Sequence, residues 1–241
     1  MIQSVDRALR VLAVLQGARR RSLGEIAAAM GLAPSTVHGI VRTLLAHGMV
    51  VQERDTGLYR LGPATLKLGN VYLDNLELRA HAQPWIADLA AQTGCGVRVA
   101  VPLGGDVVVV AAAPTPDEVG IVVPAHACAL GKVLLAYGMC TVTDPRPMTG
   151  ETQLPPRDLG TVRRTGLANE VEEAVLGECG AASPVATADE VCGAVGLVVP
   201  AGAWPPAPAT LDALRRAARG ISRELGASSW PPRFAEESAT A

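Results

Sequence analysis

The stretch Ser22-Leu23-Gly24-Glu25-Ile26-Ala27-Ala28-Ala29-Met30-Gly31-Leu32-Ala33-Pro34-Ser35-Thr36-Val37-His38-Gly39-Ile40-Val41-Arg42-Thr43-Leu44-Leu45 reads as two helices joined by a tight turn. Ser22 and Glu25 stand three residues apart, the spacing of a capping box, just ahead of the apolar run Ile26 to Met30. Gly31 closes that short helix, because glycine tolerates the left-handed conformation common just past a helix end. Pro34 suits the first position of the next helix, and Val37, Ile40, Val41, Leu44 and Leu45 recur at steps that line one helical face. Gly48 ends it. Upstream, Val5, Ala8, Leu9, Leu12 and Leu15 mark a helix over 4–16, with Ser4 as N-cap and Gly17 as terminator, followed by Arg19-Arg20-Arg21 as a solvated turn. Downstream, Met49–Arg54 and Leu58–Leu61 are strand-like runs around Asp55-Thr56-Gly57, the pattern of a hairpin.

A short helix, a turn containing Gly and a further helix make a helix-turn-helix unit, whose second helix enters the DNA major groove; an appended hairpin is a wing. With its apolar face inward, the second helix turns Ser35, Thr36, His38, Gly39, Arg42 and Thr43 outward. These are short donors plus one Arg, able to reach base edges and phosphates, and Gly39 lets the backbone approach closely. Arg54 and Arg60 on the wing are placed for phosphates or the minor groove. The same elements could form a protein-binding module without DNA, and charge separates the two readings.

The 241 residues carry a net charge of −2, which taken whole says nothing about nucleic acid. Residues 1–76, however, hold nine Arg/Lys against five Asp/Glu, a balance of +4, while residues 77–241 hold twelve against eighteen, a balance of −6. A basic module joined to a larger acidic one points to an anionic partner for the basic side only. Aromatics are only 3% of the chain, so the core is aliphatic. The longest apolar run, Val107–Pro114, is too short for a membrane span, and the N-terminus lacks a basic region followed by an apolar one, which disfavours membrane and secreted readings. Cys95, Cys128, Cys140, Cys179 and Cys192 are odd in number, with the spacing of neither a disulfide framework nor zinc knuckles, and read as buried thiols in a reducing cytoplasm.

Beyond residue 64 the pattern predicts a helical connector over 64–78, a helix over 80–93, a hairpin of Val97–Val101 with Val107–Ala111, and a third strand at Ile121–Val123. A helix at Cys128–Tyr137, late strands at Ala182–Ala186 and Val195–Val199 with a loop at 187–190, and a final helix over 209–225 follow. A mostly antiparallel sheet flanked by helices suits a small-molecule sensor, although fold alone does not establish that role.

Ser4-Val5-Asp6-Arg7-Ala8-Leu9, Ser22-Leu23-Gly24-Glu25-Ile26-Ala27, Gly31-Leu32-Ala33-Pro34-Ser35-Thr36-Val37-His38 and Tyr59-Arg60-Leu61-Gly62 together resemble the IclR family of bacterial transcription regulators. Pro124-Ala125-His126-Ala127-Cys128-Ala129-Leu130-Gly131-Lys132 resembles the family's effector-domain motif. Leu66-Lys67-Leu68-Gly69-Asn70-Val71-Tyr72-Leu73-Asp74 and Thr36–Leu44 are similar to its glycerol-operon repressors. The resemblance covers about residues 2–226. It implies an α+β chain: a winged helix-turn-helix domain over 1–62, a linker helix over 63–78, a GAF-like α/β effector-binding domain over 79–226 and a tail over 227–241. It further implies a cytoplasmic homodimer or homotetramer that binds double-stranded operator DNA and a small-molecule effector, without a cofactor.

The resemblance also places an effector pocket. The family pattern Gly-Tyr-Ala-x-Asp-x-Glu-Glu falls on Gly166-Leu167-Ala168-Asn169-Glu170-Val171-Glu172-Glu173, putting Glu170 at an effector-site aspartate. Where the family commonly has a Cys, this chain has Gly180, and two family serines are replaced by Gly196 and Val198. A pocket of Cys128, Ala129, Leu130, Glu170, Gly180, Gly196 and Val198 is expected to be roomy and apolar, with Glu170 its main charged group. That disfavours an anionic effector and fits a neutral, cationic or largely apolar one, or a pocket that no longer responds. The segment after Ala136, with Asp144-Pro145-Arg146-Pro147 and Pro155-Pro156, reads as shorter than in the family.

His126 with Cys128 invites a nucleophilic reading, but no orienting acid accompanies them. Glu172 and Glu173 lack a nearby His and read as a solvated acidic stretch. The tail carries weak folding signals and is expected to be flexible, although Trp230 and Phe234 could dock on a neighbour. The expected function is therefore a DNA-binding regulator, most commonly a repressor in this family. The alternative is a metabolite-binding or enzymatic α/β protein whose winged module mediates protein contacts.

Overall fold

The computed structural model describes residues 2–17, 20–143, 145–188 and 190–232, and the chain divides into two compact units, residues 1–75 and 76–241. Arg19, Asp144 and Phe234, on which the sequence reading drew, lie outside the described residues.

The first unit holds α1 (Gln3–Gln16), α2 (Leu23–Met30), α3 (Pro34–Ala46), β1 (Val50–Gln52), β2 (Tyr59–Leu61) and α4 (Pro63–Asp74). The capping box forms: the Glu25 N–H donates to the Ser22 hydroxyl at 3.2 Å, and the Ser22 N–H donates back to the Glu25 carboxylate at 2.7 Å. Gly31 takes the left-handed conformation that redirects the chain between α2 and α3. Val11, Leu15, Ile26, Met30, Val37, Val41, Leu44, Val50 and Tyr59 close the core. β1 and β2 pair antiparallel, Val50 against Leu61 and Gln52 against Tyr59, making the wing.

Four details differ from expectation. Ile2, not Ser4, is the N-cap of α1, and no side chain caps it. The buried stripe of α1 centres on Val11 and Leu15, while Val5 and Leu9 are 54% and 61% exposed. The helix is apolar on two adjacent stripes, and the expected face was a composite of both. Arg21 is no loose turn residue: its backbone exchanges hydrogen bonds with Tyr59 at 3.0 and 2.7 Å, adding a bridge to the wing's edge, while Arg20 pairs with Glu53 at 3.0 Å. The connector expected over 63–78 is interrupted, because α4 ends at Asp74 and Glu77 and Leu78 already belong to the next helix.

The second unit comprises α5 (Glu77–Thr93), β3 (Gly96–Leu103), β4 (Asp106–Ala113), β5 (Val122–Pro124), α6 (Ala129–Ala136), α7 (Leu159–Thr165), β6 (Ala168–Val171), β7 (Glu178–Ala186), β8 (Val191–Pro200) and α8 (Pro208–Glu224). The six strands form one antiparallel sheet in the order β5-β4-β3-β8-β7-β6. β7 is buried from Cys179 to Ala186, so both sheet faces are covered there: α5 and α8 pack on each other and on the sheet, and α6 packs on strands including β7 and β8. Among the described residues no helix is long and apolar enough to cross a membrane.

Two sequence expectations are corrected here. Glu173 is 2% exposed rather than solvated, and Thr149 and Thr152 donate to the carbonyls beside it, pinning the irregular segment after α6. Trp230, expected in a flexible tail, is docked on its own chain, donating from its indole to the Pro184 carbonyl at 3.0 Å beneath the Arg219 guanidinium, which lies 5.4 Å from the ring centroid.

Candidate nucleic-acid interface and effector pocket

Because Val37, Val41 and Leu44 are consumed by the core, α3 presents Ser35, Thr36, His38, Gly39, Arg42 and Thr43 on its exposed side. Arg42 makes no ion pair or side-chain hydrogen bond among the described residues, so its guanidinium is available to an outside acceptor. The Thr43 hydroxyl donates to the Gly39 carbonyl at 3.2 Å and offers a ligand only its lone pairs and methyl group. A Cβ at Gly39 would touch nothing within 4 Å, so the approach to the helix is open on that side. On the wing, Arg54 is exposed, whereas Arg60 lies 3.6 Å from Glu53, which Arg20 also contacts at 3.0 Å. Glu53 thus draws Arg20 alongside the wing strands, a neighbour the sequence reading left in a turn.

In the second unit, Cys128, Ala129, Leu130, Glu170, Gly180, Gly196 and Val198 all line one cavity of about 360 Å³. The strand register explains the convergence: Glu170 pairs with Gly180, Gly180 with Val198, and Ala182 with Gly196, so four of these positions are neighbours across β6, β7 and β8. Cys128 and Ala129 open α6, with the Gly131 N–H donating to the Cys128 sulfur at 3.3 Å.

Glu170 is 7% exposed, and burial pushes its carboxyl up to about 7, opposed by the Glu173 N–H that donates to Oε2 at 3.0 Å. Its neighbour Glu173 is paired with Lys132 at 2.5 Å, and Lys132 also donates to the Asn169 carbonyl at 3.2 Å. Burial pushes the Cys128 thiol up to about 12, so it is a neutral thiol at ordinary pH and a poor nucleophile. His126 contacts the Arg146 carbonyl through Nε2 at 2.8 Å and is not part of the cavity lining, which leaves Cys128 without a base.

Glu170 is not the only charged group in the cavity: Arg98 and Glu178 also line it. Arg98 donates from Nε and Nη2 to the two oxygens of Glu118 at 2.8 and 2.9 Å, and its Nη1 lies 3.7 Å from Glu178. The chelate raises the Arg98 pKa and lowers that of Glu118. The cation is therefore already satisfied by protein carboxylates. Its position was readable in principle, since pairing β3 with β8 sets Arg98 opposite Gly196 and Gly96 opposite Val198.

Residues 4–54 match the IclR helix-turn-helix domain family, and residues 70–223 match the bacterial transcriptional regulator IclR C-terminal family. A glycerol operon regulatory protein of Streptomyces coelicolor is 37% identical over 94% of this chain and 97% of its own length. Among solved structures, an IclR transcriptional regulator from Alicyclobacillus acidocaldarius superposes with a TM-score of 0.77 at 26% identity, covering 94% of this chain and all of the other. An IclR homologue from Microbacterium hydrocarbonoxydans, complexed with 4-hydroxybenzoate, shares the fold with a TM-score of 0.75 at 23% identity over 92% and 98% of the two chains.

Proposed function

The chain belongs to the IclR family of bacterial transcriptional regulators, and from that premise we propose that it is a cytoplasmic, homo-oligomeric repressor of a pseudo-palindromic operator. It is a DNA-binding regulator with an effector-binding C-terminal domain, not an enzyme. The reader is residues 1–62, with Ser35, Thr36, His38, Gly39, Arg42 and Thr43 in the major groove and Arg54 and Arg60 on the flanking backbone. Residues 63–78, mostly α4, link it to the sensor over 79–226.

The observation that carries this reading is the exposed polar face of α3, with Arg42 unpaired among the described residues above a core that fixes the helix. Self-association is supported by apolar surface on the first unit: Ile2 at the N-cap of α1, Val5 and Leu9 on that helix, and Leu66, Leu68, Val71 and Tyr72 on α4, a helix with no buried residue. A two-fold assembly puts two α3 helices on half-sites about 10 base pairs apart or a multiple of that.

Cys128, Ala129, Leu130, Glu170, Gly180, Gly196 and Val198 hold the effector, whose binding shifts the placement of the linkers and hence the half-site spacing the oligomer fits. With the Arg98 charge matched by Glu118, an anion in this cavity meets the carboxylates of Glu170 and Glu178 with no unmatched cation beside them, so the effector is neutral, cationic or largely apolar. Although a relative is named for the glycerol operon, anionic metabolites such as glycerol 3-phosphate are not expected to bind here with micromolar affinity and release DNA. Footprinting of the DNA upstream of the chain's own gene tests the proposal: paired protected half-sites are expected, and uniform or absent protection contradicts it.

A further inference from the structure

We propose that the cavity takes a compact, largely apolar molecule bearing one ammonium group, which donates to Oε1 of Glu170. This rests on the cavity being the effector site and goes further by naming the ligand's charge and anchoring atom. Glu170 is buried, and its Oε2 accepts the Glu173 N–H, but Oε1 has no hydrogen-bond partner among the described residues. Gly180 keeps the space beside that oxygen clear: a Cβ there would stand 3.0 Å from Oε1 and 3.4 Å from the Ala129 Cβ. Oε1 opens on the cavity, so a ligand that fills the space and shuts water out must itself supply a donor to that oxygen.

Among the described residues no cation donates to that oxygen. Lys132 is committed to Glu173 and the Asn169 carbonyl, and Arg98 to Glu118 and Glu178. Once the Arg98–Glu118 chelate is counted as neutral, Glu170 and Glu178 leave the cavity short of positive charge. A carboxylate would face both. A hydroxyl could donate to Oε1 but would leave the charge unmatched, and charge-assisted hydrogen bonds are roughly twice as strong as neutral ones.

Elsewhere the walls ask for hydrocarbon. Val109, Val123, Leu130 and Leu197 line the interior, and at the mouth Ile121, Met148 and Val175 are 41%, 50% and 52% exposed, leaving apolar surface that a ligand body would cover. The pieces together describe a hydrocarbon skeleton with a cationic head at Glu170.

Calorimetric titration of the full-length protein with three matched probes tests this: cyclohexylmethylamine, cyclohexylmethanol and cyclohexanecarboxylate. The amine is expected to bind at least about tenfold more tightly than either other probe, equivalent to ~1.4 kcal/mol. Glu170→Gln, isosteric and still an acceptor, should erase that preference while leaving the alcohol unaffected. Gly180→Ala should weaken the amine several-fold without changing any charge. Equal or tighter binding of the alcohol or the carboxylate, amine affinity unchanged in Glu170→Gln, or no binding by any probe overturns the inference. Val198→Trp, which fills the cavity, separates the two levels. If the amine preference fails but binding is lost in Val198→Trp, the effector-site reading stands alone; binding that survives Val198→Trp overturns both.

Discussion

Replacing Lys132 with Met removes the cation from a buried ion pair. The Lys132 and Glu173 side chains are 6% and 3% exposed, with Nζ to Oε1 at 2.5 Å. In Lys132→Met, Glu173 keeps the Gln153 N–H at 3.2 Å but loses its ion-pair partner. Stripping one partner from a buried pair costs about 3–5 kcal/mol, a large share of the roughly 5–15 kcal/mol that holds a domain folded. Glu173→Gln leaves Lys132 buried with the Asn169 carbonyl and no counter-ion, and is expected to be destabilising for the same reason. The double variant Lys132→Met/Glu173→Gln removes both charges, so its loss should fall well short of the two single losses together. Urea denaturation followed by tryptophan fluorescence measures this cleanly, because Trp85, Trp204 and Trp230 all belong to residues 76–241 and report that unit alone. A Lys132→Met loss below about 1 kcal/mol, or strictly additive losses, would refute the buried pair and return Glu173 to the solvent, since exposed pairs contribute only that much.

Glu170 predicts a pH dependence. Its folded pKa of about 7 lies above the ordinary 4.5, so the unfolded chain sheds this proton first, and the stability it contributes is full below about 4.5 and lost as pH rises through about 7. Glu170→Gln should therefore raise Tm relative to the parent at pH 8 and not at pH 4; equal Tm differences at both would contradict the burial. Trp230→Ala should cost about 1–2 kcal/mol in the same urea assay, from one hydrogen bond and one cation–π contact, whereas an unchanged midpoint would show that the segment is not docked in solution. Ser22→Ala should cost the reader about 1 kcal/mol through the lost N-cap, read by circular dichroism; no change would mean that the capping box does not support α2.

The reader was largely legible because its signals are local. A capping box, a left-handed glycine and a helical stripe each act within a few residues, and Ser22, Gly31 and Val37 behave as their spacing says. What failed there was non-local: only the packed core decides which of two apolar stripes on α1 is buried, and only the strand pairing with Tyr59 makes Arg21 part of the wing. In the sensor, the long apolar strands β3 and β4 announced themselves, but β6 did not. Its alternating burial places Ala168 and Glu170 inward, and a carboxylate at an inward position masks a period-two pattern. The seven positions that the family resemblance named all line one cavity, yet it did not name Arg98, whose place there follows from cross-strand neighbours rather than from its own stretch of chain. Glu173 misled for the same reason: its partner Lys132 lies 41 residues away.

The most direct test of the account is fluorescence anisotropy of a labelled duplex from the chain's own upstream region, titrated with parent protein and with Arg42→Ala across a salt series. The parent should bind with log Kd rising steeply with log salt, as phosphate contacts require, and should prefer this duplex over random sequence. Arg42→Ala should lose about 1–3 kcal/mol of affinity while keeping the parent's Tm, because the guanidinium reaches outward from α3 and holds no other residue. Arg42→Ala binding like the parent, or a parent that does not distinguish this duplex from random DNA, would contradict the assignment of α3 as the reader.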